Sequence, residues 1–146
     1  MTRSLLQLAF AVFFSTVGLL PAQEVTDTLY CDADATVSGS TDRELVPDGG
    51  RQGYLCVGRV QINPVNVTHQ AYLMFELNGI DPSTVTSAEL RLWKSRARSE
   101  ILNVHAVEQD VWDEYSLYWK NKPNDGELVG SVDALGGRYN TVDVTE

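Results

Sequence analysis

"HQAYLMFELNGIDPSTVTSAELRLWK", His69 to Lys94, decides the fold. In its first half Ala71, Leu73, Phe75 and Leu77 share one side of an extended chain, and Tyr72, Met74 and Glu76 share the other. In its second half Ala88, Leu90 and Leu92 oppose Glu89, Arg91 and Trp93. Side chains alternate with period two only in extended backbone, so both halves read as strands. Between them "NGIDPST" carries Asn-Gly and Asp-Pro turn chemistry. A helix opening at Ser83 or Thr84 competes locally. The β-branched run Thr84-Val85-Thr86 flows straight into the second alternation and favours the strand.

The same period recurs outward from this stretch. "GYLCVGRV" (53–60), "ILNVHAV" (101–107) and "YNTVDVT" (139–145) read as strands rich in Val, Tyr and Thr. In 101–107, Leu102, Val104 and Ala106 alternate with Ile101, Asn103, His105 and Val107, a weakly polar split that predicts burial on both sides. "PDGGRQG", "NPVN", "NKPNDG" and "ALGG" supply further turns. Short strands spaced by such turns predict an all-β, antiparallel, jelly-roll-like β-sandwich. The sequence stops at "VDVTE", inside or just after a strand, and an unpaired edge there predicts missing closing strands.

The first 22 residues stand apart. Arg3 precedes an uncharged, mostly apolar run from Leu5 to Leu20, and Gly18, Pro21 and Ala22 supply small or turn residues at its end. That is the layout of a secretory signal peptide cleaved after about Ala22, too short for the ~20-residue span of a membrane anchor. It predicts a domain over 23–146 that is secreted and does not stay at a membrane.

The whole chain of 146 residues holds 20 acids and 11 bases, a net charge of −9. Loss of residues 1–22 removes Arg3 and no acid, leaving 20 against 10, or −10. Such a domain repels nucleic acid and anionic membranes except where bases cluster.

Cys31 and Cys56 are the only cysteines. In an oxidising compartment a pair this close in sequence predicts one disulfide, worth roughly 3–4 kcal/mol for a loop of that size. The alternative is two buried free thiols. No C-x-x-C occurs, and His69 and His105 lack ligand-like spacing, so no metal site is predicted. Asp32, Asp34 and Asp48 are candidates for a structural calcium ion, but no loop motif joins them, and turn or cap roles suit them better.

Two stretches compete for function. "DVWDEYSLYWKNKPNDG", Asp110 to Gly126, collects acids and aromatics. A glycosidase needs two carboxylates facing each other across a sugar, ~5–9.5 Å apart. Adjacent Asp113 and Glu114 point to opposite sides of an extended chain, so with Glu108 and Asp110 they read as a solvated turn. Leu117 and Trp119, two positions apart, share one side of an extended chain, with Tyr118 and Lys120 turned the other way.

"RLWKSRARS" differs. Trp93 alternates onto the polar side with Glu89 and Arg91, and Arg91, Lys94, Arg96 and Arg98 are four of the ten mature bases. An outward Trp beside cations can stack a sugar ring while the cations hold its carboxylate. Ordinary solvation of a charge run is the competing reading. The candidate ligand-binding set is therefore Arg91, Trp93, Lys94, Arg96, Tyr118 and Lys120.

Six pieces in order resemble a known family: Asp34–Val37, Leu55–Gly58, Ala71–Leu77, Ser87–Leu92, Trp112–Pro123 and Asp143–Thr145. They resemble the DNRLRE domain, which is related to the disaggregatase repeat and to carbohydrate-binding module family 96. The resemblance covers roughly 27–146, and Trp112, Leu117 and Trp119 fall on the family's recurrent apolar positions, which implies that they are core rather than a ligand platform. Glu76 stands where Asp is usual, Met74 where Arg is common, and Tyr118 where Thr precedes Trp119. The family implies a secreted, jelly-roll-like sandwich that binds carbohydrate, alginate among them, often alongside degrading enzymes. The expectation is a non-catalytic module for an acidic polysaccharide. The alternatives are a structural or adhesive surface module, and an appendage of a polysaccharide lyase or hydrolase whose other domains lie in a longer chain.

Overall fold

The computed structural model describes residues 25–40, 53–62, 64–96, 98–107, 109 and 111–145. The expected signal segment, the calcium candidate Asp48 and the acids Glu108 and Asp110 lie outside them. Among the described residues seven strands follow in order: β1 (Ala33–Gly39), β2 (Gly58–Ile62), β3 (Val65–Met74), β4 (Glu89–Lys94), β5 (Glu100–Val107), β6 (Asp125–Ala134) and β7 (Arg138–Asp143). All pairings are antiparallel, and they form sheets β1-β3-β2, β4-β7 and β5-β6. The fold is the all-β, antiparallel, sandwich-type architecture that the period-two patterning predicts.

The helix start expected to fail survives as one 3-10 turn, Pro82–Thr84. Asp81 caps it: its carboxylate accepts from the Ser83 N–H at 3.0 Å, and Pro82 fixes the first position. The Ser83 hydroxyl, which donates to the same carboxylate at 2.7 Å, and then the Ser83 N–H hold the Asp81 carboxyl below its ordinary range.

β3 is the central strand of its sheet. It pairs β1 from Ala33↔Met74 to Gly39↔Thr68, and β2 from Gly58↔His69 to Ile62↔Val65. Its Tyr72 side meets the core cluster, and Val67, five positions earlier and so on the opposite side, is buried as well. Tyr72, Ala35, Val37 and Leu117 form a buried cluster against which Trp112 and Trp119 pack. The segment 111–124 closes over this side of the sheet. It is turn and loop rather than strand, yet Leu117 and Trp119 still face inward and Tyr118 stays 40% exposed.

Trp119 lies directly on Gly39, so that a Cβ at 39 would overlap the indole ring. The buried Tyr72 hydroxyl donates to the Pro123 carbonyl at 3.0 Å. Burial, then the nearby Asp125 carboxylate, pushes this phenol well above its usual range, so it remains a donor.

β6 was not foreseen. It pairs β5 with two register irregularities near His105, and it crosses β7 closely. A Cβ at Gly130 would meet the Asp143 carbonyl oxygen at 2.5 Å and Val142 at 2.6 Å, so glycine permits the crossing. In β5 only Leu102, Val104 and Ala106 are half-buried, while Ile101, Asn103, His105 and Val107 are exposed. The expected burial on both sides of 101–107 is therefore corrected to one.

The expected disulfide is also corrected, because Cys31 and Cys56 are free thiols. The Cys56 N–H donates to the Thr36 hydroxyl of β1 at 2.9 Å. Cys31 lies five positions before Thr36, about 16 Å back along extended backbone. A disulfide requires Cα atoms within ~7 Å. The Cys31 thiol instead points to the Ala33 carbonyl at 3.0 Å and the Met74 carbonyl at 3.5 Å.

Candidate functional site

The β4-β7 ribbon carries the candidate residues of "RLWK". Strand β4 has exposed Glu89, Arg91 and Trp93 alternating with half-buried Leu90, Leu92 and Lys94. Strand β7 buries Asn140 and Val142 and exposes Tyr139, Thr141 and Asp143. The register sets Trp93 opposite Tyr139, Arg91 opposite Thr141, and Glu89 opposite Asp143. Directly opposed residues in an antiparallel pair share a face. One outward face therefore carries all six.

On that face the rings of Trp93 and Tyr139 meet edge to face, centroids 5.1 Å apart at 71°. The Arg91 guanidinium lies over the Tyr139 ring at 5.1 Å. Tyr139 thus contacts both a cation and an indole, while Trp93 and Tyr139 stay 58% and 57% exposed. An aromatic edge contact contributes about 0.5–1.5 kcal/mol and an exposed cation–π contact about 0.5–1 kcal/mol, enough to favour one arrangement of three long side chains.

Lys94 has a different task from the one its charge suggested. Alternation turns it away from Trp93, and its side chain is only 12% exposed. Its ammonium donates to the Ala134 carbonyl at 3.0 Å and the Arg98 carbonyl at 2.5 Å, and pairs with Glu100 at 3.3 Å. Its own carbonyl accepts from the Gly137 N–H at 2.7 Å. Lys94 therefore ties the end of β4 to the β6–β7 turn and to the 95–99 loop.

Asn140 finishes that turn from inside. Its side chain accepts from the Leu135 N–H and donates to the Leu135 and Arg138 carbonyls, all within 3.1 Å. Arg96 and Arg98 stand exposed on the 95–99 loop, beside the Trp93 end of the ribbon.

Tyr118 and Lys120 belong to another neighbourhood, the 111–124 segment docked on β1 and β3. There the Asn121 carboxamide oxygen accepts from the Tyr118 N–H, and the Lys122 ammonium lies over Trp119 at 5.3 Å.

The acids of this segment serve the fold. Asp113 accepts from the Tyr115 N–H at 2.9 Å, and Glu114 accepts from the Asp34 N–H at 3.4 Å. Asp32 accepts from the Glu76 N–H at 2.6 Å, joining the start of β1 to the end of β3. Among the described residues no three His, Cys, Asp or Glu side chains gather as a metal site. No helix among them is long and apolar enough to cross a membrane.

Sequence reasoning missed Tyr139. Alternation in "RYNTVDV" puts Tyr139 on one side with Thr141 and Asp143. Its partnership with Trp93 depends on a register between residues 46 positions apart, which period-two patterning does not encode.

The family model of carbohydrate-binding module family 96 matches residues 25–146, and the chain belongs to that family. A comparison with curated proteins finds no match.

Proposed function

We propose that this family 96 module is a secreted, non-catalytic domain that binds an acidic polysaccharide, alginate being the type, on the outward face of the β4-β7 ribbon. The supporting observation is the Arg91–Tyr139–Trp93 strip: an exposed indole fixed beside a cation on a module whose family binds carbohydrate. A pyranose ring stacks on Trp93, the Arg91 guanidinium takes a carboxylate, and Arg96 adds a second cation from the loop. Lys94 supports this arrangement from the other side. Tyr118 and Lys120 offer a separate, weaker polar contact on the 111–124 segment.

The non-catalytic reading draws on Asp113 and Glu114, whose carboxylates are engaged in a turn and in a contact with β1. The secreted reading draws on the leading segment 1–22.

Affinity electrophoresis in gels containing alginate, pectin or a neutral glucan tests the proposal. Alginate and pectin should retard the protein and the neutral glucan should not. Retardation should vanish in Trp93→Ala and weaken in Arg91→Gln. Indifference to every polymer overturns the binding reading, and undiminished retardation of Trp93→Ala overturns the site.

A further inference from the structure

The face that carries the aromatic–cation strip also carries two acids. Moving along β4 from Trp93, Arg91 comes two residues on and Glu89 two further, each step about 7 Å. Across the ribbon Tyr139, Thr141 and Asp143 keep pace, so Glu89 and Asp143 stand directly opposed on the site's own face. Both are exposed. Like charges directly opposed on a sheet repel each other, so packing alone does not favour the pair. Asp143 is held ionised: its carboxylate accepts from the Thr145 N–H at 2.9 Å, and that bond depresses its pKa below the carboxylate range. The opposite end of the ribbon leads to the loop bearing Arg96 and Arg98.

From this order of charges along one face we infer that Glu89 and Asp143 act as a fence that limits how much of a polyuronate the site accepts. The inference rests on the reading of the ribbon as the binding face and adds a length and a direction to it. A uronate chain places one carboxylate on every sugar. A chain laid along the ribbon from Trp93 past Arg91 brings its next carboxylates onto Glu89 and Asp143, within the ~8 Å Debye length at physiological ionic strength. The favourable route leads the other way, off the ribbon end toward the 95–99 loop. The site therefore reads a short segment, one ring on Trp93 with its neighbouring carboxylate on Arg91, rather than a long run of chain.

Isothermal titration calorimetry of the full chain with oligouronates of graded length, from the monosaccharide upward, tests this. For the wild type, affinity should rise over the first few sugars and then level off. The Glu89→Gln/Asp143→Asn variant keeps both side-chain acceptors. It should bind the shortest ligands as the wild type does, and the longest about threefold to tenfold more tightly, a gain that high salt removes. A wild-type affinity that keeps climbing with length overturns the inference. So does a variant that gains nothing, or one that gains equally at every length, which would reflect net charge alone. In those three cases the binding reading stands. A wild type that binds no oligouronate and is retarded by no acidic polymer overturns both. Thermal melting of the variant confirms that it folds.

Discussion

Trp93 and Tyr139 stand directly opposite each other on β4 and β7, with their rings in edge-to-face contact at 5.1 Å. Tyr139 also carries Arg91 over its ring, so a single side chain sets the positions of both proposed ligand groups. Tyr139→Ala should therefore weaken alginate binding nearly as much as Trp93→Ala, while lowering stability by only about 0.5–1.5 kcal/mol. Tyr139→Phe, which keeps the ring, should retain most binding. The check is affinity electrophoresis paired with urea unfolding. Wild-type retardation of Tyr139→Ala would remove Tyr139 from the site.

Lys94 is expected to act on the fold before it acts on any ligand. Lys94→Met deprives the Ala134 and Arg98 carbonyls and Glu100 of their donor. A cost of about 1–3 kcal/mol in urea unfolding follows from leaving such acceptors unpaired. Glu100 itself is 55% exposed, so its lost ion pair adds little. Loss of binding at unchanged stability would instead make Lys94 a direct ligand contact.

How much of this was legible follows from these residues. Period-two patterning revealed β4 and most of β5 and β7, and the family resemblance pointed the tryptophans of 111–124 inward. It also contained the answer for Lys94. Alternation from Trp93 sends Lys94 to the opposite face, but grouping it with Arg91 and Arg96 by charge gave sign precedence over direction. β6 was hidden because "DGELVGSVDA" spends two glycines and three acids within ten residues, which blurs any alternation. Gly130 is there for the crossing with β7, a tertiary reason without a local signature. Tyr139 required a register that only the assembled ribbon supplies.

Gly39 tests the packing of the tryptophan segment. A methyl group at this position runs into the Trp119 indole, which is itself packed against the core cluster and cannot simply rotate away. Gly39→Ala should cost about 1–3 kcal/mol by overpacking. The pair Gly39→Ala with Trp119→Leu should cost less than the sum of the two single changes. Additive costs would mean that the two positions do not touch.

The cysteines make a chemical prediction. Without reductant, iodoacetamide should add two carbamidomethyl groups to the intact protein, read by mass spectrometry. Labelling that requires prior reduction would contradict the free thiols. Burial is the largest effect raising the Cys31 pKa, opposed in part by the Met74 carbonyl contact. The protonated thiol is thus favoured in the fold. Its contribution is present below the ordinary thiol value and is lost as pH rises through the raised one. At pH 8 Cys31 should accordingly alkylate more slowly in the folded protein than in urea.

The most direct test of the binding face is the mobility of the wild type and Trp93→Ala, run side by side in alginate gels. Retardation of the wild type, lost in a variant that melts at the wild-type temperature, is the predicted result. Equal retardation of the two proteins would contradict the assignment of the β4-β7 face.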